Sequence, residues 1–113
     1  MPNTPFIDRK DAIRRELLKR ANNGQLVAYS ELGRAVGIPA QGPWKPVLDL
    51  ISKEETARCD PDLTFLIKNK RTGLPSQIGF VGARFPTAEQ IGMARAEVRK
   101  IFDKHCPGAR VPF

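Results

Sequence analysis

Four cations, Lys68, Lys70, Arg71 and Arg84, lie in a stretch from residue 63 to residue 88 that holds no acidic side chain. Lys70 and Arg71 lie in the turn-forming run Asn69-Lys70-Arg71-Thr72-Gly73-Leu74-Pro75, with Lys68 just before it, where no core needs them. Fixed cations of this kind attract phosphates, because they release the counterions condensed on a polyanion. The alternative is an ordinary solvated tip. Upstream, Gln41 and Lys45 offer donors suited to base edges or phosphate oxygens. Trp44 stands beside them, and for this ring core packing competes with a groove-facing role.

Catalytic and metal chemistries find less to work with. His105 and Cys106 are adjacent, but neighbours at a helix end point apart, and a thiolate nucleophile needs a base facing it. A metal site takes three or four ligands, and Cys59 is the only other cysteine or histidine, so Asp60 or Asp62 would have to complete the set. Pro61-Asp62 is similar to the opening of a metal-dependent nuclease motif. The second acid and the lysine that should follow on the next strand are replaced by the acid-free stretch. No Gly-rich loop ending in Lys-Ser or Lys-Thr is present to cradle a nucleotide. The sequence therefore predicts no catalytic residue, no metal and no cofactor, with His105 read as a cation near a helix C-terminal dipole.

The chain of 113 residues carries 19 basic against 12 acidic side chains, a net charge of +7 and a pI near 9.9. That excess favours anionic partners and says nothing about fold. The length suits one domain over residues 1–113, with flexible ends at 1–7 and 109–113. No run approaches the roughly 20 apolar residues that cross a bilayer, and the start Met1-Pro2-Asn3-Thr4-Pro5 has no signal-peptide apolar core. Two isolated cysteines agree with a reducing, cytoplasmic setting. No membrane contact and no small-molecule substrate are expected.

The elements that must position these residues follow from periodicity and punctuation. Asp8 is placed to cap a helix reaching Asn22, with Ile13, Leu17, Leu18 and Ala21 on one face and Asn22-Asn23-Gly24 as its stop. Residues 25–29 read as one short strand entering a second helix capped by Ser30, with Leu32, Ala35 and Val36 as its apolar face and Gly37 at its end. After a turn over 38–43, a third helix tolerates Pro43 or Pro46 in its first turn and repeats Val47, Leu50 and Ile51. Residues 63–67 and 77–81 read as the strands of a hairpin with the basic tip between them. Thr87 and Gln90 form a capping box ahead of Ile91, Ala94, Val98, Ile101 and Phe102, a helix that stops at Cys106-Pro107-Gly108. This order predicts an α+β winged helix-turn-helix: a three-helix core, a β-hairpin wing and a C-terminal helix.

The run Val27-Ala28-Tyr29-Ser30-Glu31-Leu32-Gly33-Arg34-Ala35-Val36-Gly37-Ile38-Pro39 resembles the helix-turn-helix of alkylguanine-DNA alkyltransferases and alkyltransferase-like proteins. They carry a similar Val-x-Tyr-x-x-Leu-x-x-x-x-Gly string. Trp44-Lys45-Pro46-Val47-Leu48-Asp49-Leu50-Ile51 is similar to their recognition helix after a small insertion, and residues 65–73 to their strand and turn. The resemblance covers about half the chain. It implies a backbone contact for Tyr29 and a groove contact for Lys45, near the family's helix-inserting arginine. Where that family has Pro-Cys-His-Arg, this sequence has Pro61-Asp62-Leu63-Thr64-Phe65, without the nucleophile or the histidine, so alkyl transfer is not expected at that position. The predicted function is non-catalytic binding of double-stranded DNA, with Tyr29, Gln41, Trp44, Lys45, Lys68, Lys70 and Arg71 at the interface. Two alternatives stand beside it. One is a protein-interaction adaptor anchored by Trp44, Leu74 and Phe85, or self-association; the other is a reader of damaged DNA.

Overall fold

The protein is described by a computed structural model over residues 4–39, 41–69, 73–75 and 87–113. Its centre is the first apolar stripe. Helix α1, Lys10–Asn22, buries Ile13, Leu17 and Ala21 and packs against every later helix. It starts two residues beyond the expected Asp8 cap, because Ile7–Arg9 forms a separate 3-10 turn and no side chain caps Arg9. Its end is a Schellman motif: Gly24 adopts φ +65°, and the Gln25 N–H donates to the Arg20 carbonyl at 2.9 Å.

Strand β1, Val27–Ala28, leads directly into α2, Tyr29–Val36. Ala28 occupies the N-cap position in place of the expected Ser30, and its N–H donates to the Glu31 carboxylate at 3.3 Å. Glu31 therefore performs the capping from inside the helix. Helix α2 ends where the sequence predicts, at Gly37 in the left-handed region. Helix α3, Trp44–Ala57, buries Trp44, Val47, Leu48, Ile51 and Glu55, with Pro46 in its first turn, where the missing N–H has no intrahelical partner to lose.

The expected first strand of the hairpin differs most. Leu63–Leu66 is a 3-10 turn, and β2 is only Ile67–Lys68. Asp62 is the cause: its carboxylate accepts from the Thr64 N–H at 3.0 Å, the Thr64 hydroxyl at 2.6 Å and the Ser52 hydroxyl at 2.5 Å. These bonds draw the chain into a turn before it can extend. Strand β2 pairs with β1 in parallel, Val27 opposite Ile67 and Ala28 opposite Lys68. The chain then turns, with the Asn69 N–H donating to the Leu74 carbonyl at 2.9 Å and an antiparallel bridge between Lys68 and Pro75. The proposed partner strand at 77–81 lies outside the described residues.

Helix α4, Ala88–His105, opens on the predicted capping box: the Gln90 N–H donates to Thr87 Oγ1 at 3.1 Å and the Thr87 N–H to Gln90 Oε1 at 2.8 Å. It buries Ala94, Val98, Ile101 and Phe102. Beyond it the closing residues, expected to be loose, bring Ala109, Val111 and Phe113 against the core. Among the described residues the architecture is α+β: four α-helices and a two-stranded parallel sheet. Among the described residues no helix is long and apolar enough to cross a membrane.

Candidate nucleic-acid interface

The start of α3 and the strand carrying Lys68 meet around Tyr29. Half-buried, Tyr29 follows Ala28, whose partner across the sheet is Lys68. Its ring lies 5.4 Å from that of Trp44, tilted by 55°. Two segments far apart in sequence are thus joined through one aromatic residue.

Trp44 holds this arrangement from the inside. It is 4% exposed, and its indole N–H donates to the Pro39 carbonyl at 3.1 Å. The groove-facing role offered for Trp44 is therefore corrected to a core role, which also removes it as an anchor for a protein partner. A large ring whose only polar atom finds a backbone acceptor gains more by burial than by exposure. Gly33 makes room for it: a Cβ there would stand 2.2 Å from the Ile38 carbonyl and 3.3 Å from Trp44 Cζ2.

Around this aromatic pair lie the polar candidates. Gln41 is exposed in the turn before α3, and the Lys45 side chain is 85% exposed with an i,i+4 ion pair to Asp49 at 3.0 Å. No acidic residue sits in the first turn of α3, so the positive end of its macrodipole is not covered by a carboxylate from within that turn. Lys68 is half-buried and lines a groove of about 460 Å³ with Arg20, Gln25, Leu26, Glu31, Gly73 and Pro112. In that groove Arg20 reaches both Glu16, at 3.3 Å, and Glu31, at 3.9 Å. Among the described residues no carboxylate lies within ion-pair distance of Lys68. Lys70 and Arg71, and the proposed anchor Phe85, lie outside the described residues; Leu74 is half-buried.

Sequence reasoning did not place Arg20 beside Lys68. It sits on α1 away from the Ile13-Leu17-Ala21 stripe, and the Schellman turn at Gly24 carries the chain back past it.

The residues considered for catalysis have other duties. Asp62 is engaged with Ser52 and Thr64, and Asp60 is held by an ion pair from Lys104, whose hydrogen bond keeps its carboxyl below the usual range. His105 departs from its expected role as a helix-end cation: burial, then the nearby Lys104 charge, lowers its pKa and favours neutral imidazole. Among the described residues no three His, Cys, Asp or Glu side chains gather as a metal-holding group. None of the family models, curated proteins or solved structures compared with this chain matches it.

Proposed function

We propose that this protein binds double-stranded DNA without catalysis, as a winged helix-turn-helix in which α3 enters a groove and the basic turn after β2 lies on the flanking phosphates. The observation that carries this reading is the junction at Tyr29, where the start of α3, through Trp44, meets the strand bearing Lys68. It supports a single surface on which Gln41, Lys45 and Lys68 stand around Tyr29. The positive balance of the whole chain, +7, would draw the polyanion toward that surface.

The adaptor alternative loses support, since Trp44 is buried, while Ile7 and Met93 are the large hydrophobics most exposed among the described residues. They belong to different elements, the Ile7–Arg9 3-10 turn and α4, rather than to the α3 surface. The damaged-DNA reading uses the same residues as the duplex reading and is a special case of it.

The test is a fluorescence-anisotropy titration with a duplex between 50 and 200 mM salt. Four phosphate contacts give a log-log slope of about −3.6, or a roughly 150-fold loss of affinity over that interval. Lys68→Ala should reduce the slope by about 0.9. A protein that fails to bind at the lower salt refutes the reading, and a slope near zero removes its electrostatic basis. A duplex carrying a bulky lesion, bound no better than its intact twin, would leave general duplex binding and exclude the lesion reader.

A further inference from the structure

A second basic groove lies beyond the closing segment. It has a volume of about 490 Å³ and is lined by Arg95, Arg99 and Arg110 together with Gly108, Ala109, Val111 and Phe113. None of its lining side chains is acidic, and the Phe113 main-chain oxygen is already taken up by Arg95. Arg99 and Arg110 are exposed, and among the described residues neither has a carboxylate within ion-pair distance. Arg95 has a separate task. Its Nε donates to the Phe113 carbonyl at 2.9 Å, and its guanidinium stands 5.9 Å from the Phe113 ring centroid.

This groove and the one that contains Lys68 flank the same closing segment. Pro112 lines the Lys68 groove, while its neighbours Val111 and Phe113 line the arginine groove. The closing segment is thus a shared wall with cations on both sides. It is fixed in place, because Ala109, Val111 and Phe113 pack against the core and Ala109 lies so close to Gly24 that a Cβ on that glycine would be 2.7 Å from Ala109 Cβ.

We infer that the Arg99 and Arg110 groove is a second phosphate-binding subsite, which continues the path of a DNA backbone past the Lys68 groove and over the closing segment. This rests on the duplex-binding reading above. Guanidinium groups suit the task, since each presents a planar fork of donors to phosphate oxygens. Arg95 is a positioning residue that holds the wall between the two grooves.

The test compares the salt dependence of duplex binding by the full chain with that of Arg99→Ala/Arg110→Ala. Loss of two phosphate contacts should make the log-log slope shallower by about 1.8. Arg99→Lys/Arg110→Lys, which keeps both charges, should retain the original slope. Both positions are exposed, and an unchanged thermal melt checks that each variant is folded. An alanine variant with the parental slope overturns this subsite while leaving the α3 and Lys68 surface intact. Failure of Lys68→Ala to change the slope, with the arginine variant still shallower, would instead fault the first surface and keep the arginine groove. A parent chain that does not bind duplex at all overturns both.

Discussion

Gly33 illustrates how much the packing of α2 against the turn and Trp44 depends on one missing side chain. In an exposed helix interior alanine would be preferred to glycine by about 1 kcal/mol. At this position the added carbon would meet the Ile38 carbonyl at 2.2 Å, a backbone atom that can move only with the turn. Gly33→Ala is therefore expected to destabilise the protein, by about 2 kcal/mol on the scale of overpacked core sites. Thermal or urea denaturation reads this directly, and a stabilised variant would contradict the close approach of α2 to the turn. The sequence shows Gly33 within a helical pattern, but not what touches it. Trp44 was ambiguous for a related reason: its position at a helix start is equally consistent with facing out or in, and only the Pro39 carbonyl and the Tyr29 ring decide the matter.

At the level of elements, the helices were legible because each writes its own period and punctuation. The Thr87-Gln90 box, Gly37 and the Ile13-Leu17-Ala21 stripe all act within a turn or two of where they stand. Strand pairing is a contract between distant segments, so the parallel partnership of β1 and β2 was not legible, and the apolar run Leu63-Thr64-Phe65-Leu66-Ile67 concealed a 3-10 turn. The deciding signal was Asp62 two residues before Thr64, an arrangement that favours local side-chain bonds over a sheet. The arginine groove was hidden for the same reason as the sheet, since it needs α4 and the closing segment together. Helix α3 also ends unusually. Cys59 occupies the left-handed position of a Schellman motif at φ +59°, with the Asp60 N–H donating to the Glu55 carbonyl at 2.9 Å. Glycine pays no Cβ penalty there. Cys59→Gly should raise stability by up to about 1 kcal/mol, measured as an increase in Tm; a decrease would show that the exposed thiol contributes contacts of its own.

For the whole molecule, stability falls as the solution is acidified. The His105 pKa is lowered by burial and Lys104, that of Glu54 by its hydrogen bond from Lys10, and that of Asp60 by its hydrogen bond from Lys104. In each case the unfolded chain binds the proton more readily, so stability is lost as pH falls. The loss should begin below about pH 6.5 with His105 and continue through the carboxylate range near pH 4. Melting curves across this range check the order. His105→Gln should flatten the upper stage and leave the lower one, whereas an unchanged upper stage would assign it elsewhere.

The β1–β2 ladder has a consequence for how such a surface comes into being. Its strands bracket α2 and α3 in the chain, and parallel strands cannot meet until the intervening crossover has closed. Non-local pairings of this kind repay their entropy cost late in folding. A nascent or partly unfolded chain therefore carries the same charges without the alignment that the proposed duplex surface requires, until this two-residue ladder closes.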